Sequence, residues 1–428
     1  MPVDIPRTMT GNSKPFVIMA KPVGPVCNLE CSYCYYLETD HFYTRPHQFL
    51  MSDALLEKYI SQYMAASAGP NVPFVWHGGE PTLAGLDFYR RAVELQKRYL
   101  PQGWTCWNNL QTNGILLNDD WCSFLADTKF DVGLSIDGTR WLHDACRKDH
   151  QGRGTYERGV AAIHRLQAHG IQPDLLCVVT SAIAKDPLSV YRALKDLNTG
   201  WIQFIPVVRR TSNGLVTSDS VTGEAYGRFL STIFDEWLHH DLGKLNVQFF
   251  AELLLAWSGG DTNVCWMAPT CGRVLIVEHD GGVYSCDHFV TPEHRIGDLG
   301  TTSLTELVGA PLQLRFGDDK RDRLPTQCCS CSWLTVCNGG CPKDRFALTR
   351  DGQPGLNYLC YGLQNFYAHA EKPLKKVIYY MKQGLGSQAI MAELRAESLA
   401  RWRGIGRNDL CPCGSGLKAK NCCWSQRP

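Results

Sequence analysis

Phe16-Val-Ile-Met-Ala20-Lys-Pro-Val-Gly-Pro-Val-Cys27-Asn-Leu-Glu-Cys31-Ser-Tyr-Cys34 is the stretch whose reading decides the fold. Its first five residues are apolar and partly β-branched, the composition of a buried strand. Its end packs three cysteines into the loop that follows. Three thiolates so close together can hold a [4Fe–4S] cluster while leaving one iron without a protein ligand, whereas a cluster with four cysteines suits electron transfer. An open position admits a substrate, as it does at a catalytic zinc. A zinc site, or half of a mixed site, is the competing reading of the same spacing.

Outward from this loop, residues 16–240 alternate short strand-like runs with amphipathic stretches. Strands are expected at 16–20, 74–77, 104–111, 131–136, 175–179 and 202–207. Helices are expected at 53–66, 88–99, 119–127, 156–168, 187–197 and 226–239. Ser52 and Thr155 are placed as N-caps, and Gly170 stops the fourth helix. Six βα units in succession imply a parallel sheet, open or curled into an incomplete barrel. Ligand chemistry in such folds lies at the C-terminal ends of the strands. There the sequence has Trp76-His77-Gly78-Gly79-Glu80-Pro81, Gln111-Thr112-Asn113-Gly114 and Ser135-Ile136-Asp137-Gly138. Paired glycines let polar groups of a ligand approach the backbone.

The bulk numbers exclude several function classes. Lys+Arg of 43 against Asp+Glu of 42 leaves a net charge near zero, which favours neither nucleic acid nor an anionic membrane as partner. No run approaches the ~18 apolar residues of a membrane span, and no apolar run of signal-peptide length follows a basic flank at the start. A cytoplasmic protein is expected. Its 20 cysteines therefore suggest metal binding rather than disulfides. Cys106, Cys122, Cys146 and Cys177 are scattered and are expected to be small buried hydrophobes. The others cluster.

Cys265, Cys271 and Cys286 precede the dense run Cys328-Cys329-Ser-Cys331, Cys337 and Cys341, with Cys360 beyond. Leaving out one of the adjacent pair gives eight thiolates, enough for two fully ligated four-iron clusters or for two structural zinc sites. Short strands at 273–278 and 282–285 fit a small metal-stapled domain. Residues 371–403 are helical and charged. At the end, Cys411-Pro-Cys413 and Cys422-Cys423 with intervening glycines suit a closed tetrahedral zinc site. The expected divisions are 14–240, 241–370, 371–403 and 404–428.

The cysteine triad with Tyr33 before its third cysteine, followed by Gly78-Gly79-Glu80-Pro81, resembles the radical S-adenosylmethionine (SAM) superfamily. That resemblance implies an α/β fold: a partial (β/α)6 barrel binding SAM at the open iron of a cluster held by Cys27, Cys31 and Cys34. Tyr33 and Gly79 would line the SAM site, Ser135 and Arg147 would hold its ribose and carboxylate, and Val208 would touch its adenine. The middle cysteines resemble the twin-cluster SPASM domain. By that likeness Cys265, Cys271, Cys286 and Cys341 hold one [4Fe–4S] cluster, Cys328, Cys331, Cys337 and Cys360 hold a second, and Cys329 is spare. Three such clusters result. The tail resembles the SEC-C motif, with one zinc at Cys411, Cys413, Cys422 and Cys423.

A narrower likeness rests on Gly85-Leu-Asp-Phe-Tyr, Asn109-Leu-Gln-Thr-Asn-Gly, Gln203-Phe-Ile-Pro, Tyr284-Ser-Cys-Asp-His-Phe and Cys337-Asn-Gly-Gly-Cys-Pro-Lys. These resemble the anaerobic sulfatase-maturating enzymes, in order and over residues 14–369. The resemblance implies oxidation of a cysteine or serine in a sulfatase Cys/Ser-x-Pro-x-Arg segment to Cα-formylglycine, with Asp287 as general base. His77 stands where some relatives carry Gln; it either contacts substrate or packs. The implied partners are an unfolded sulfatase, an electron donor such as flavodoxin or ferredoxin, and the export machinery, the last through the tail. A SPASM enzyme modifying or cross-linking another ribosomal peptide is the alternative, and an iron–sulfur electron carrier or redox sensor is the non-enzyme alternative.

Overall fold

The computed structural model of the chain describes residues 15–38, 49–211, 213–412 and 416–421. Its centre is a ten-stranded sheet. The strands are β1 (Val17–Lys21), β2 (Asn71–Trp76), β3 (Thr105–Thr112), β4 (Asp131–Ser135), β5 (Asp174–Val179), β6 (Trp201–Pro206), β7 (Asn246–Val247), β8 (Val274–Glu278), β9 (Gly282–Tyr284) and β10 (Arg295–Asp298). β1 to β7 are parallel and neighbour one another in chain order. Six of them match the expected strands to within a few residues.

Helices α1 (Asp53–Ala66), α2 (Leu86–Tyr99), α3 (Asp119–Asp127), α4 (Arg140–Cys146), α5 (Tyr156–Ala168), α6 (Pro187–Lys195), α7 (Gly223–His240) and α8 (Gln248–Trp257) accompany this half. The apolar faces explain the packing. Tyr59 and Tyr63 of α1 stack on one another and meet Phe74 and Trp76 of β2 edge-on, all four fully buried. Edge-to-face aromatic pairs add roughly 0.5–1.5 kcal/mol each beyond their burial.

Ser52 caps α1 as expected, accepting from the Leu55 N–H at 3.3 Å. Thr155 occupies the N-cap position of α5 as expected, but its side chain does not cap the helix. Its hydroxyl lies 2.9 Å from His143 Nε2 and donates to the Arg147 carbonyl, while Asp144 accepts from the Tyr156 N–H at 2.9 Å. The hydroxyl is already engaged by the loop before the helix, so a carboxylate twelve residues upstream takes over the capping. Gly170, at φ +79°, ends α5 as expected.

The strands expected in the cysteine-rich segment belong to the same sheet as the barrel. β8 runs parallel to β1, pairing Val17 with Val274 through Lys21 with Glu278, and β9 and β10 continue antiparallel at that edge. Beyond them come α9 (Leu304–Val308), α10 (Pro311–Asp322), α11 (Thr326–Cys329) and α12 (Leu334–Cys337). The charged stretch expected as one helix is two, α13 (Cys360–Lys382) and α14 (Ser387–Trp402), broken where Gly384 adopts φ +79°. α13 packs along α7, where Gly227 and Gly362 meet so closely that a Cβ on Gly362 would lie 1.6 Å from the Gly223 carbonyl oxygen. Of the scattered cysteines, Cys122 and Cys177 are fully buried, and Cys106 and Cys146 are half-buried. Among the described residues no helix is long and apolar enough to cross a membrane.

Candidate active site

The three cysteines of the first loop sit above the C-terminal ends of β1 to β4, and the neighbouring strand ends hold that loop in place. Gly79 N–H donates to the Gly24 carbonyl and Glu80 N–H to the Val26 carbonyl, both at 2.8 Å. A Cβ on Gly79 would stand 2.1 Å from the Val26 oxygen and 2.4 Å from that of Pro25. The glycine is therefore required by the cysteine loop itself. Glu80 is buried and ties two strand ends together, accepting from the Thr82 N–H at 3.1 Å, the Thr112 hydroxyl at 2.7 Å and the Asn113 N–H at 2.8 Å. Asn113 in turn donates to Asn28 at 2.8 Å and reaches Cys27 Sγ at 3.7 Å.

On the other side, Glu30 N–H donates to the Lys148 carbonyl, and His150 Nε2 lies 3.0 Å from the Cys27 carbonyl. Asp137, fully buried at the end of β4, organises this flank. It accepts from the Tyr33 hydroxyl, from Arg147 Nε at 2.8 Å and from the Val178 N–H at 2.9 Å. Arg147 thereby lies over the Tyr33 ring, with Nη1 4.0 Å from Cys31 Sγ. The loop places Tyr33, Arg147 and Cys31 together, and Val207 packs into the same cluster, with Val208 in the core next to it. Ser135 accepts from Gln111 at 3.3 Å, one strand away.

Burial pushes the Cys27 thiol up to about 12, with Glu80 adding to it, and Cys31 up to about 11. Left alone these groups stay protonated at neutral pH. A bound cation such as cluster iron supplies the charge that makes them thiolates. Among the described residues no three His, Cys, Asp or Glu side chains converge on a single ion.

The eight expected auxiliary cysteines fall into two groups. Cys286 is held above the ordinary thiol range by burial first and then by its neighbours Cys341 and Cys265, and Cys265 also acts on Cys271. Cys360 is pushed up to about 12 by burial and then by Cys337, Cys328 and Cys331. Cys341, expected in the first set, is the cysteine that acts most strongly on Cys286. The spare Cys329 is exposed. Of the tail cysteines, Cys411 is buried in a turn closed by the Leu410–Lys418 bridge. Cys413, Cys422 and Cys423 lie outside the described residues.

Asp287, the residue after Cys286, faces the first cysteine loop. The Tyr35 hydroxyl donates to its Oδ2 and the Tyr36 hydroxyl to its Oδ1 at 2.8 Å. Lys21, at the end of β1, reaches Oδ1 at 2.8 Å and Glu278 of β8 at 3.3 Å. Burial alone would raise the Asp287 carboxyl, but the Lys21 ammonium beside it holds it well below the usual carboxylate range. Burial opposes the charge on Lys21, and Asp287 and Glu278 more than offset it. Burial lowers the His77 imidazole from its ordinary value, against the pull of Asp287. Its Nδ1 accepts from the Gly78 N–H at 2.8 Å and lies 3.1 Å from the Tyr36 hydroxyl. His77 thus packs against the tyrosine that serves Asp287.

Sequence reasoning missed Lys21, Tyr35, Tyr36, Asp137 and Glu278. Lys21 carried one signal, a cation at the end of an otherwise apolar strand. Its two carboxylate partners become visible only once β8 is known to pair with β1.

Residues 22–185 match the family model described as the radical SAM superfamily, residues 265–332 that of an iron–sulfur cluster-binding domain, and residues 407–425 the SEC-C motif. The chain is 41% identical over 397 residues to a serine-type anaerobic sulfatase-maturating enzyme of Bacteroides thetaiotaomicron, covering 89% of this chain and 95% of that one. A cysteine-type counterpart from Clostridium perfringens is 31% identical, covering 83% and 96%. A solved structure described as native anSMEcpe with bound AdoMet and Cp18Cys peptide superposes with a TM-score of 0.78 at 30% identity, covering 86% of this chain and all of that one.

Proposed function

This chain belongs to the anaerobic sulfatase-maturating enzymes of the radical SAM superfamily, and we propose that Asp287 is the group that takes the substrate's proton in its reaction. The enzyme oxidises a cysteine or serine side chain of a sulfatase to Cα-formylglycine. One observation carries the proposal: Asp287 follows Cys286 in the auxiliary segment and is gripped by Tyr35 and Tyr36, which directly follow Cys34. The carboxylate stands between the first cysteine loop and Cys286, which supports placing the substrate side chain beside it.

SAM bound at a cluster held by Cys27, Cys31 and Cys34 would supply the capacity to abstract a hydrogen atom, and clusters held by the auxiliary cysteines would supply an electron acceptor. The chain's own residues do the rest. Cys27, Cys31 and Cys34 are the proposed ligands of the first cluster. Tyr33, Gly79, Ser135, Arg147 and Val208 are the proposed SAM contacts, with Gly79 also holding the cysteine loop. Cys265, Cys271, Cys286 and Cys341, and Cys328, Cys331, Cys337 and Cys360, are the proposed ligand sets of two further four-iron clusters. Asp287 is oriented by Lys21, Tyr35 and Tyr36, and Oδ2 keeps a lone pair for the substrate hydroxyl or thiol. A carboxylate held so low is a weak base toward a resting hydroxyl or thiol. Proton transfer therefore belongs to the moment after the Cβ hydrogen leaves, when delocalisation of the unpaired electron acidifies the adjacent O–H or S–H. For serine, the loss of one hydrogen atom, one proton and one electron leaves the aldehyde.

We further propose that the reaction runs in the cytoplasm on an unfolded Cys/Ser-x-Pro-x-Arg segment, with flavodoxin or ferredoxin as reductant. Anaerobic incubation of the reconstituted enzyme with SAM, reductant and paired Ser and Cys peptides tests this. Aldehyde is expected from the serine peptide, as the 41% likeness to a serine-type relative suggests; aldehyde from neither peptide contradicts it.

The tail is proposed to hold one zinc through Cys411, Cys413, Cys422 and Cys423 and to dock the substrate protein or an export component. Truncation after Arg403 is then expected to lower zinc by about one per chain and leave peptide turnover unchanged. KM for a whole unfolded sulfatase should rise, since a second contact raises the effective concentration of the target segment. Loss of peptide turnover, or no effect on either substrate, contradicts the docking role.

A further inference from the structure

Helix α10 buries a face that an ordinary helix would leave to solvent. Its buried residues are Gln313, Gly317 and Lys320, spaced four and three apart on one side. The partner of this face is the bare backbone of the first auxiliary cysteine loop. Gln313 donates to the Gly272 carbonyl at 3.0 Å, and the Cys271 N–H donates to the Gly317 carbonyl at 3.0 Å. Lys320, only 1% exposed, donates to the Cys265 carbonyl at 2.8 Å, the Trp266 carbonyl at 2.9 Å and the Ala268 carbonyl. Three donors meet three carbonyls.

Arg345 repeats the pattern between the two cysteine groups. It donates to the carbonyls of Gly339 at 2.9 Å, Asn338 at 2.6 Å and Gly340 at 3.3 Å, and to that of Lys320 itself. Asn338 links the same turn to the first loop through the Met267 carbonyl at 2.7 Å. Among the described residues neither Lys320 nor Arg345 forms an ion pair with a carboxylate. Burial lowers both cations from their ordinary values; at Lys320 the neighbouring Cys271, Cys265 and Cys341 oppose it while Arg345 adds to it, and at Arg345 Cys328, Cys271, Cys337 and Cys341 oppose it.

A buried cation without a counter-ion is costly. Lys320 is buried and Arg345 half-buried, and among the described residues the groups of opposite sign that act on both are cysteines. We propose that Lys320 and Arg345 are the internal counter-ions of the auxiliary clusters and raise their reduction potentials, Lys320 at the first cluster and Arg345 at both. This rests on the assignment of the eight cysteines to two clusters. A thiolate-ligated cluster gains one negative charge on reduction, so a nearby fixed cation favours the reduced form. The arrangement suits the reaction. With the substrate proton taken by Asp287, the remaining electron would need an acceptor, and an oxidised cluster beside Lys320 and Arg345 would supply one before an external carrier removes it.

The test is a redox titration of the anaerobically reconstituted full-length enzyme, followed by electron paramagnetic resonance, with iron and sulfide measured on each sample. Lys320→Gln should shift the midpoint of one auxiliary cluster to more negative potential, and Arg345→Gln should shift both. Lys320→Arg and Arg345→Lys keep the charge and should stay near wild type. A neutral variant that loses a cluster which its charge-conserving counterpart retains also supports the counter-ion role. Unchanged midpoints in the neutral variants, or equal shifts or equal cluster loss in the charge-conserving ones, overturn it. Wild-type enzyme holding only about four irons would instead remove the cluster assignment on which the inference stands.

Discussion

Replacing Cys27, Cys31 and Cys34 together with Ala is expected to abolish SAM cleavage and remove about four irons per chain, leaving about eight at the auxiliary positions. The effect should be confined because the loop has its own supports. Gly79, Glu80, Asn113, Lys148 and His150 hold its backbone or its asparagine, and these contacts do not use the thiols. The auxiliary thiols lie on other elements and should keep their metal. Chromatography for 5′-deoxyadenosine checks the first half of the expectation, and iron and sulfide analysis checks the second. Cleavage that survives in the triple variant would remove the radical SAM role from these cysteines.

Asp287→Asn is expected to lower the rate of aldehyde formation by ~10²–10⁴, the usual range for loss of a general base. Iron content and SAM cleavage should persist. Removing one member of a buried ion pair often costs 3–5 kcal/mol because the other charge is orphaned. Here Lys21 keeps Glu278 at 3.3 Å, so the variant should fold. The carboxamide retains one oxygen for the tyrosine hydroxyls but cannot take a proton. The pH profile gives a second check. A carboxyl held below its usual range is ionised at every pH above that lowered value, so acid inactivation of the wild type should not set in near the ordinary carboxylate pKa. Near-normal formylglycine from the Asn variant would place the base elsewhere.

Much of the barrel was legible because each strand and helix carries its own period. α1, α3 and α5 begin and end at the expected residues, since Asn118 and Ser52 cap them or Gly170 stops them. Long-range pairing left no such local mark. That β8 joins β1, and so brings Glu278 and Asp287 to Lys21, depends on contacts more than 250 residues apart. Thr155 stands at the expected N-cap, but its side chain does not cap for a similar reason, its hydroxyl being claimed by His143 and Arg147. At the site, residues with a motif around them were found and those defined only by partners were not. Asp137 stood in a quoted strand end and passed without a role, because nothing in the sequence shows that it carries Tyr33 and Arg147 together. Lys320 and Arg345 were invisible for the same reason, since their partners are backbone carbonyls, which have no sequence signature.

The central claim is that the radical made at the Cys27–Cys34 loop takes a hydrogen atom from the substrate Cβ beside Asp287. A Ser-x-Pro-x-Arg peptide deuterated at the serine Cβ, turned over by the reconstituted enzyme, tests it most directly. The account predicts deuterium in the 5′-deoxyadenosine and an aldehyde that has lost one deuterium at that carbon. SAM cleavage with unlabelled 5′-deoxyadenosine, or a peptide cross-linked without an aldehyde, would contradict it.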